Sequence, residues 1–422
     1  MRIAFISYEY PPDSSGGGIA TYVAQAARMM ANRGHQIEVF ASSATRDGRY
    51  ENDGIVEHWI RETNRRDFGV VAGHRFAARH GETPFDVLEG PDYNADGRKA
   101  VQLVPGIPFV IKMHTPTQLI ESLNNDGGLQ SKALFLGHSL KAVVKTAFKG
   151  RSLPPLFLGK GSLGFQWEKV EEDHAKRADI VAPPCKDLCE YARGFWHIPA
   201  SRLRLSPHPY TPTPKFLGLS PRPQGSTVGF VGRLERRKGI ETLVQAIPKV
   251  LRAQPGARFH LIGASTPHFG SDRPYDEWIR SRLGVDAESV TILGRVPLED
   301  MAKAYDKLDI CVFPSLWENF PNVCLEAMSA GRAVIGSSAG GMAEMLEHGQ
   351  AGMLVPPGEP SALAKAIITL LRNDEERVRL GEVARRRVLS CYNEQVIGAM
   401  MEDIYREAIK GKLATRSSSN GG

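Results

Sequence analysis

No apolar segment of this sequence is long enough to cross a membrane. Hydrophobic residues make up 42% of the 422 residues, but no run approaches the roughly 18 consecutive apolar residues that a spanning helix needs. The first residues, MRIAFISYEYPP, also lack the long apolar core of a secretory signal peptide. These absences predict a cytoplasmic protein.

Cysteine is scarce, and its spacing indicates no metal site. The five cysteines are an odd number, and Cys185 with Cys189 has no second pair to complete a zinc site. Charge is nearly balanced, since the formal net charge is +6, whereas nucleic-acid-binding domains usually carry a strongly basic face. We therefore expect structural thiols, no metal or cofactor, and no nucleic-acid partner.

What the sequence does contain is an alternation of short β-branched runs with longer amphipathic stretches. The runs predicted as buried strands are RIAFIS, QIEVFA, FDVLEG, PFVIKMH, STVGFVG, ARFHLIG, SVTILG, DICVFPS, AVIGSS and GMLVPP. Between the first two, GIATYVAQAARMMANRG has helical periodicity and ends in glycine. This alternation predicts an α/β fold with parallel sheets.

The length of the chain and one Pro-rich stretch predict two domains. A chain of 422 residues exceeds what one hydrophobic core usually holds, and no regular element is expected to persist in SPHPYTPTPKFLGLSPRPQG. The predicted organisation is a Rossmann-like domain at 1–207, a linker at 208–225, a second Rossmann-like domain at 226–395, a helix at 396–412 able to cross back to the first domain, and a disordered Ser/Gly-rich tail at 413–422.

Because open α/β sheets bind ligands at the carboxyl ends of their strands, the loops after the strands are the candidate sites. In YEYPPDSSGGGIATYV, the residues Gly16, Gly17 and Gly18 lie directly before a helix. Three glycines allow close backbone approach, and the amides of a helix N-terminus favour an anion such as phosphate. The alternative is a flexible turn. The spacing is not that of the G-x-G-x-x-G dinucleotide motif.

A second loop, in GFVGRLERRKGIETLVQAI, carries Arg233 and Lys238 around a predicted turn from strand to helix. An arginine fork and a lysine ammonium at such a turn can neutralise a diphosphate. The alternative is a solvated basic turn, and this is the interpretation we give to Arg236 and Arg237.

The third loop, in SLWENFPNVCLEAMSAG, places Glu318 in a loop and Glu326 on the helix that follows. One carboxylate can accept hydrogen bonds from two hydroxyls of a ribose or a sugar ring. Two carboxylates could also be the acid and nucleophile of a glycosidase, which requires them to flank one bond. The third interpretation is structural, with Glu318 capping the helix and Glu326 exposed.

Taken together, the three loops resemble glycosyltransferase family four, the retaining nucleotide-sugar glycosyltransferases of GT-B fold. The resemblance rests on YPP before the glycine loop, G-R-L-x-x-x-K-G, and E-x7-E, and extends to ADIVAPP, GRVPLEDMAKAYDKLDICVFPSLWE and GMAEMLEHGQAGMLVPPGEPSALAKAI. It implies two doubly wound Rossmann-like domains that face a central cleft.

The resemblance also implies roles for these residues. Glu326 would hold the ribose hydroxyls of the donor, and Glu318 would engage the transferred sugar together with the backbone amides of Asn319 and Phe320. Arg233 and Lys238 would stabilise the departing diphosphate.

On the N-terminal side, the resemblance assigns the amides around Gly17 and Gly18 to the distal phosphate. The strand in IKMHTP ends at His114, which resembles the active-site histidine of the family near the sugar; the alternative is a structural histidine at a strand end. The chain departs from many members in NFPN after Glu318 and in SPHPY after the strand at the linker. These departures leave the identity of the sugar open.

The function expected from the resemblance is transfer of a hexose from a UDP- or GDP-sugar to an acceptor hydroxyl, with retention and without an essential metal. Polysaccharide or glycolipid assembly is the expected setting, with a sugar or lipid-linked acceptor. A GT-B nucleotide-sugar epimerase and a non-enzymatic nucleotide-sugar-binding protein are the alternatives. The presence of Arg233, Lys238 and both glutamates argues against the non-enzymatic alternative.

The stretch 131–165 contains basic residues and no acidic ones. Lys141, Lys145 and Lys149 recur every four residues and would form one stripe on a helix. Such a stripe is either an ordinary solvated face or a peripheral docking surface for an anionic membrane at the inner face of the cell membrane, or for a lipid-linked acceptor.

Overall fold

The computed structural model describes residues 1–13, 17–124, 163–220, 225–268 and 273–419. The helices, numbered in chain order over these residues, are α1 (Gly18–Asn32), α2 (Arg65–Glu82), α3 (Arg98–Leu103), α4 (Thr117–Asn124), α5 (Leu163–Ala175), α6 (Lys186–Gly194), α7 (Pro214–Leu217), α8 (Ile240–Ala253), α9 (Tyr275–Leu283), α10 (Met301–Asp306), α11 (Asn322–Ser329), α12 (Met342–Met345), α13 (Pro360–Leu371), α14 (Asp374–Cys391) and α15 (Glu394–Ser419). None of these described helices is both long and apolar enough to span a membrane.

The chain forms two compact units. The first unit contains the described residues of 1–117, 161–211 and 390–422, and the second contains those of 118–160 and 212–389. The strands of the first unit are β1 (Arg2–Ser7), β2 (Gln36–Ser42), β3 (Gly48–Asn52), β4 (Ile55–Ile60), β5 (Val87–Pro91), β6 (Phe109–Lys112) and β7 (Ile180–Ala182). Those of the second unit are β8 (Thr227–Val231), β9 (Arg258–Ile262), β10 (Val290–Gly294), β11 (Ile310–Phe313), β12 (Ala333–Ser337) and β13 (Met353–Val355).

The sheet of the first unit has the strand order β3-β4-β2-β1-β5-β6-β7. Its pairs are parallel except that of β3 with β4. β1 lies at its centre with every residue buried, as expected for a parallel strand covered by helices on both faces. β3 and β4 form a hairpin that the sequence analysis did not identify. Most residues of β3 are polar and exposed, so this edge strand has no apolar pattern.

The sheet of the second unit is parallel throughout, in the order β10-β9-β8-β11-β12-β13. All six strands coincide with predicted apolar runs. Helix α8 packs on this sheet through Leu243, Ile247 and Val250, which are buried in its core and recur at helical spacing. The predicted α/β class with two Rossmann-like units is therefore confirmed.

The Pro-rich stretch contains one element that the sequence analysis excluded. Helix α7 begins with Pro214, and proline is favoured in a first turn because it has no N–H to leave unsatisfied. Beyond α7 the chain is held by arginines of the second unit: Arg385 donates to the carbonyl of Leu219 at 2.8 Å and Arg332 to that of Ser220 at 2.8 Å. This part of the linker is attached to the second unit.

The last helix, α15, is joined to the first unit by a buried hydrogen-bond network. The hydroxyl of Tyr405 on α15 donates to Glu89 Oε2 at 2.7 Å, and that of Tyr22 on α1 donates to Glu89 Oε1 at 2.7 Å. Burial raises the pKa of Glu89. The helix continues to Ser419, so residues 413–419, predicted as a disordered tail, are helical, and residues 420–422 lie outside the described part.

Tyr405→Phe should destabilise the first unit, because it leaves one buried oxygen of Glu89 without a donor. The expected cost is about 1–3 kcal/mol, seen as a lower Tm in thermal unfolding. Tyr50→Phe is the matched control, since Tyr50 is exposed and its hydroxyl only reaches the Asp47 carbonyl at 3.4 Å. Equal Tm values for the two variants would contradict a stabilising role of this network.

Candidate active site

Two loops of the second unit meet at the carboxyl ends of β8 and β11. The loop after β8 contains a 3-10 turn, Arg236–Lys238, which is followed by Gly239 at φ +73° and then by α8. A Cβ on Gly239 would lie 1.9 Å from the carbonyl oxygen of Pro314, so only glycine fits. The Leu316 amide donates to the Arg237 carbonyl at 2.9 Å. These contacts fix the two loops against each other.

Glu318 is the centre of this arrangement. Its side chain is 5% exposed, and its Oε1 accepts a hydrogen bond from Lys238 Nζ. The same oxygen accepts from Arg237 at 3.3 Å and from Ser315 Oγ at 3.3 Å. Glu318 is therefore a buried carboxylate bound by two cations, and it does not cap α11, because no side-chain cap is present at that helix.

The loop after β12 also contacts Glu318. The amide of Gly341 donates to the Glu318 carbonyl at 2.9 Å, and Gly340 has φ +73°. A Cβ on Gly340 would lie 1.9 Å from that carbonyl oxygen. Three strand-end loops thus hold one glutamate in a fixed position.

The pKa values of Glu318 and Lys238 reflect both their burial and their contact with each other. Burial alone would raise the pKa of Glu318, but Lys238 and Arg237 outweigh it and lower that pKa below its usual value. The pKa of Lys238 is lowered, because burial opposes its charge more than Glu318 supports it. Glu318 is accordingly ionised at neutral pH and unsuited to act as a general acid.

Arg237 is a correction to the sequence analysis, which assigned it to a solvated turn. Its side chain is 7% exposed and donates to Glu235 Oε1 at 2.8 Å as well as to Glu318. Arg233 differs, since it is 57% exposed and lies 3.4 Å from Glu235 Oε1. A basic run does not reveal which of its members turns inward, because that depends on the loop geometry.

Glu326 lies on α11, one helix turn from the start of the helix. Its Oε2 is 3.1 Å from the hydroxyl of Tyr305, and burial raises its pKa to about 7. A carboxylate with this pKa changes its protonation close to neutral pH. Tyr305, which the sequence analysis did not identify, lies on α10.

Asn319 and Phe320 follow Glu318 directly. Both are buried, and the Phe320 amide donates to Asn319 Oδ1 at 2.5 Å. One of the two amides that the family resemblance assigns to the sugar, that of Phe320, is therefore already engaged in this structure. A small cavity, with room for about one water molecule, lies next to the side chains of Glu318 and Lys238 and is otherwise lined mainly by apolar residues such as Phe230 and Phe313.

In the first unit, His114 follows β6 and is buried. Its ring lies against those of Tyr22 and His208, with centroids 5.4 and 5.6 Å away. Burial, together with the charges of Lys112 and Arg65, lowers the pKa of His114 to about 3. The imidazole is therefore neutral at pH 7, and its Nε2 has no hydrogen-bond partner among the described residues.

Lys112, two residues before His114, is a buried lysine that the sequence analysis passed over. Its ammonium donates to the Ser206 carbonyl and lies 4.8 Å from the centre of the Tyr22 ring. Burial lowers its pKa to about 7. The first unit thus contains a buried lysine close to His114 that was not among the predicted site residues.

The predicted phosphate loop contains a carboxylate that was not anticipated. Gly17 precedes α1 as its N-cap, and a Cβ there would lie 2.5 Å from Glu9 Oε2. Arg65 holds the other oxygen of Glu9 at 2.7 Å. A carboxylate therefore lies beside the Gly17 backbone, where the sequence analysis expected an anionic ligand. Gly16 lies outside the described residues, as do most residues of 131–165, including Lys141, Lys145 and Lys149.

Two family models match the chain. Residues 17–209 match the Glycosyl transferase 4-like domain, and residues 225–373 match Glycosyl transferases group 1. The chain is 28% identical, over 442 aligned residues and 98% of each sequence, to a phosphatidyl-myo-inositol mannosyltransferase of Mycobacterium tuberculosis.

Solved structures with the same fold cover nearly the whole chain. A sucrose-phosphate synthase from Thermosynechococcus elongatus has a TM-score of 0.70 and 24% identity, covering 96% of this chain and 98% of that one. The Anabaena protein HepE in complex with UDP-glucose has a TM-score of 0.64 and 17% identity, covering 96% and 99%.

The two Rossmann-like units and these structural neighbours place the fold in the GT-B class. The chain belongs to the family-four-like glycosyltransferases, as its motifs predict.

Gly239→Ala tests whether the contact between the two loops forms the site. The new Cβ clashes with Pro314, and the left-handed backbone is strained by about 1–3 kcal/mol for a non-glycine residue, so we expect a lower Tm and weaker binding of whichever nucleoside diphosphate, UDP or GDP, the wild type binds. Gly256→Ala is the control, because no heavy atom lies within 4 Å of its Cβ position. Wild-type Tm and nucleotide affinity in Gly239→Ala would show that the loops tolerate separation.

Proposed function

We propose that this glycosyltransferase transfers a hexose from a UDP- or GDP-sugar to an acceptor hydroxyl with retention of configuration. The observation that carries the proposal is the buried pair of Lys238 and Glu318, which joins a strand-end cation to a strand-end carboxylate next to the small cavity. The complex of Anabaena HepE with UDP-glucose supports a nucleotide-sugar donor.

The diphosphate is assigned to Lys238 and Arg233. Lys238 already lies in a low-dielectric site, where an added phosphate charge would favour its ammonium form. Arg233 is largely exposed, so its guanidinium is accessible to an incoming phosphate and can bind it as a fork. Charge held in place before the reaction stabilises the leaving group without reorganisation. The proposal therefore includes independence from a divalent metal.

The ribose is assigned to Glu326 and the transferred sugar to Glu318. Ionised Glu326 accepts hydrogen bonds from two hydroxyls, while Glu318 is oriented by Lys238, Arg237 and Ser315. A carboxylate neutralised by two cations is a weak nucleophile, which argues against the glycosidase interpretation of the pair. We therefore propose attack on the face from which the diphosphate departs, so that an α-linked donor gives an α-linked product.

The acceptor is proposed to belong to polysaccharide or glycolipid assembly. The name of the mycobacterial relative specifies transfer of mannose to phosphatidyl-myo-inositol, which supports a sugar or lipid-linked acceptor here. Contact of residues 131–165 with an anionic membrane, a cytoplasmic location, and the roles of His114, Gly17 and Gly18 stay predictions from the sequence.

A panel of UDP- and GDP-sugars, each with and without sugar and glycolipid acceptors, tests the proposed reaction. We expect nucleotide release that depends on an acceptor, an α-linked product by NMR of its anomeric proton, and the same rate after EDTA treatment. Isomerised donor without acceptor would indicate an epimerase, and binding without turnover a regulator. A β-linked product or strict dependence on Mn²⁺ would contradict the proposed mechanism.

Arg233→Ala and Lys238→Ala should each lower kcat roughly a hundredfold, the scale of losing one oxyanion donor. The reason is that each removes charge needed as the diphosphate departs. Arg252→Ala and Lys249→Ala are matched controls, since both residues are exposed on α8. Activity near that of the controls in both variants would exclude the diphosphate role.

Glu326→Gln should weaken UDP binding and remove part of its pH dependence. Burial raises the pKa of Glu326 to about 7, and ribose hydroxyls prefer the ionised carboxylate, so wild-type affinity should rise as pH increases through 7 and level off above it. Calorimetric titration of both proteins between pH 6 and pH 8, about one unit on either side of that pKa, measures the difference. Protonation of UDP itself is common to both proteins. Identical affinities and pH profiles would remove Glu326 from the site.

A further inference from the structure

The loop that carries His114 is held at both ends by buried carboxylates. At its start, Asp92 Oδ1 accepts the His114 amide at 2.7 Å. At its end, Glu171 accepts the Thr117 amide at 3.0 Å and the Thr117 hydroxyl at 2.5 Å. The segment from His114 to Thr117, the first residue of α4, is therefore fixed at its two ends by side chains from two other elements, the end of β5 and helix α5.

The two carboxylates are also connected to each other. The Asn94 amide donates to Glu171 Oε1 at 3.1 Å, and Asn94 lies in the left-handed region at φ +57°, two residues after Asp92. This short turn brings the backbone beside Asp92 to the carboxylate of Glu171. The loop, the turn and the two acids form one hydrogen-bonded unit.

Keeping two carboxylates in this position is energetically costly. Asp92 and Glu171 are both fully buried, and burial raises the pKa of Asp92 to about 7 and that of Glu171 to about 8. The groups facing Asp92 and Glu171 are each other, the amides of Tyr93, Asn94 and His114, and both the amide and the hydroxyl of Thr117. Burying an acid costs free energy, and the hydrogen bonds to the His114 loop and to the Asn94 amide offset part of that cost.

The position of the loop determines where the imidazole points. His114 Nε2 has no partner among the described residues, while its ring is confined by Tyr22 and His208. An imidazole that is neutral and unengaged at Nε2 can serve a ligand only if its backbone is fixed. Misplacement by about 1 Å can cost on the order of a hundredfold in rate.

We infer that Asp92 and Glu171 are positioning residues for the transfer reaction, acting through the His114 loop. The inference rests on the proposed function, and specifically on His114 contacting the substrate. It assigns to the two acids no contact with the substrate and no proton transfer. Their contribution is to hold the His114 and Thr117 amides, and with them the direction of the His114 ring.

Paired substitutions at Asp92 and Glu171 compare variants that keep a hydrogen-bond acceptor with variants that remove it. Asp92→Asn keeps an oxygen that can accept the His114 amide. Glu171→Gln keeps one oxygen but replaces the other with an NH2 donor, so it can accept only part of the bonds from Thr117 and Asn94. Asp92→Ala and Glu171→Ala accept none of these bonds. With the donor and acceptor found in the panel, we expect kcat to fall about tenfold or more in the alanine variants, by no more than about threefold in Asp92→Asn, and by an intermediate amount in Glu171→Gln. The affinity for the nucleoside diphosphate of that donor, measured by calorimetry, should be unchanged in all four.

Asp179→Ala is the matched control. Asp179 Oδ2 accepts the Phe109 amide at 2.8 Å, which is the same type of bond on the same strand, β6, but at the end opposite His114. It should lower Tm without lowering kcat of the folded protein. An equal loss of kcat in Asp179→Ala would mean that general destabilisation, and not loop position, explains the result.

A double-mutant cycle with His114→Ala decides whether the acids act through His114. We expect Asp92→Ala to cause little further loss of kcat in the His114→Ala background, because the group that it positions is gone. Full additivity would overturn the inference. If Asp92→Ala does not fold, Thr117→Val replaces it, since it removes one bond to Glu171 while keeping the backbone, and its kcat should fall only when His114 is present.

Failure of the positioning role and failure of the proposed transferase function would give different experimental results. An active wild type with unaffected alanine variants would overturn the positioning role and leave the transferase function standing. A wild type that turns over no donor in the panel would overturn the function itself, and the positioning role with it.

Discussion

The ion pair between Lys238 and Glu318 is the contact on which the candidate site of the second unit depends. It links the loop after β8 to the loop after β11, and the Glu318 carbonyl in turn accepts the Gly341 amide from the loop after β12. Removing Lys238 would leave the buried carboxylate of Glu318 with one cation fewer, and breaking a buried pair typically costs about 3–5 kcal/mol. Arg237 moderates that cost because it donates to the same oxygen of Glu318. Two glycines with left-handed backbone allow the loops to approach closely enough for the pair to form.

The first unit uses a different arrangement, in which buried acids accept backbone and hydroxyl groups. Glu89 joins α1 to α15 through two tyrosines, and Asp92 with Glu171 holds the His114 loop. These acids have raised pKa values because they are buried with few cations beside them. The second unit instead lowers the pKa of Glu318 with two cations. The loop that carries Glu318 is therefore held by ion pairs, whereas the loop that carries His114 is held by hydrogen bonds to buried acids.

Much of the fold could be predicted from sequence, because buried parallel strands are apolar over their whole length. The strands from β8 to β13 all coincide with predicted runs, whereas the β3 and β4 hairpin was missed because β3 is polar. For the site, the sequence identified individual residues but not which of them contact each other. Lys238 and Glu318 were each identified, but they are 80 positions apart, and their pairing depends on the adjacency of β8 and β11 in the sheet.

Other features of the site could not be predicted, for physical reasons. The inward turn of Arg237 is set by the 3-10 geometry of its loop, which its sequence of basic residues does not specify. The carboxylate of Glu9 near Gly17 depends on how the chain folds back after β1. Asp92 and Glu171 had no visible motif, because their partners, apart from the Thr117 hydroxyl, are backbone amides, which any residue except proline supplies.

We propose that Lys238 binds the diphosphate of the donor while Glu318 engages the transferred sugar, so that Glu318 is not needed for binding of the free nucleoside diphosphate. The affinity of Glu318→Gln for UDP or GDP, whichever the wild type binds, is measured by calorimetry beside wild type and tests this directly. Asp309→Asn serves as control, since Asp309 accepts the Gly225 and Thr227 amides at the opposite end of β8. We expect this nucleotide to bind Glu318→Gln as tightly as wild type or more tightly, because Lys238 loses its competing partner. Binding weakened about tenfold or more, with the control unchanged, would contradict it.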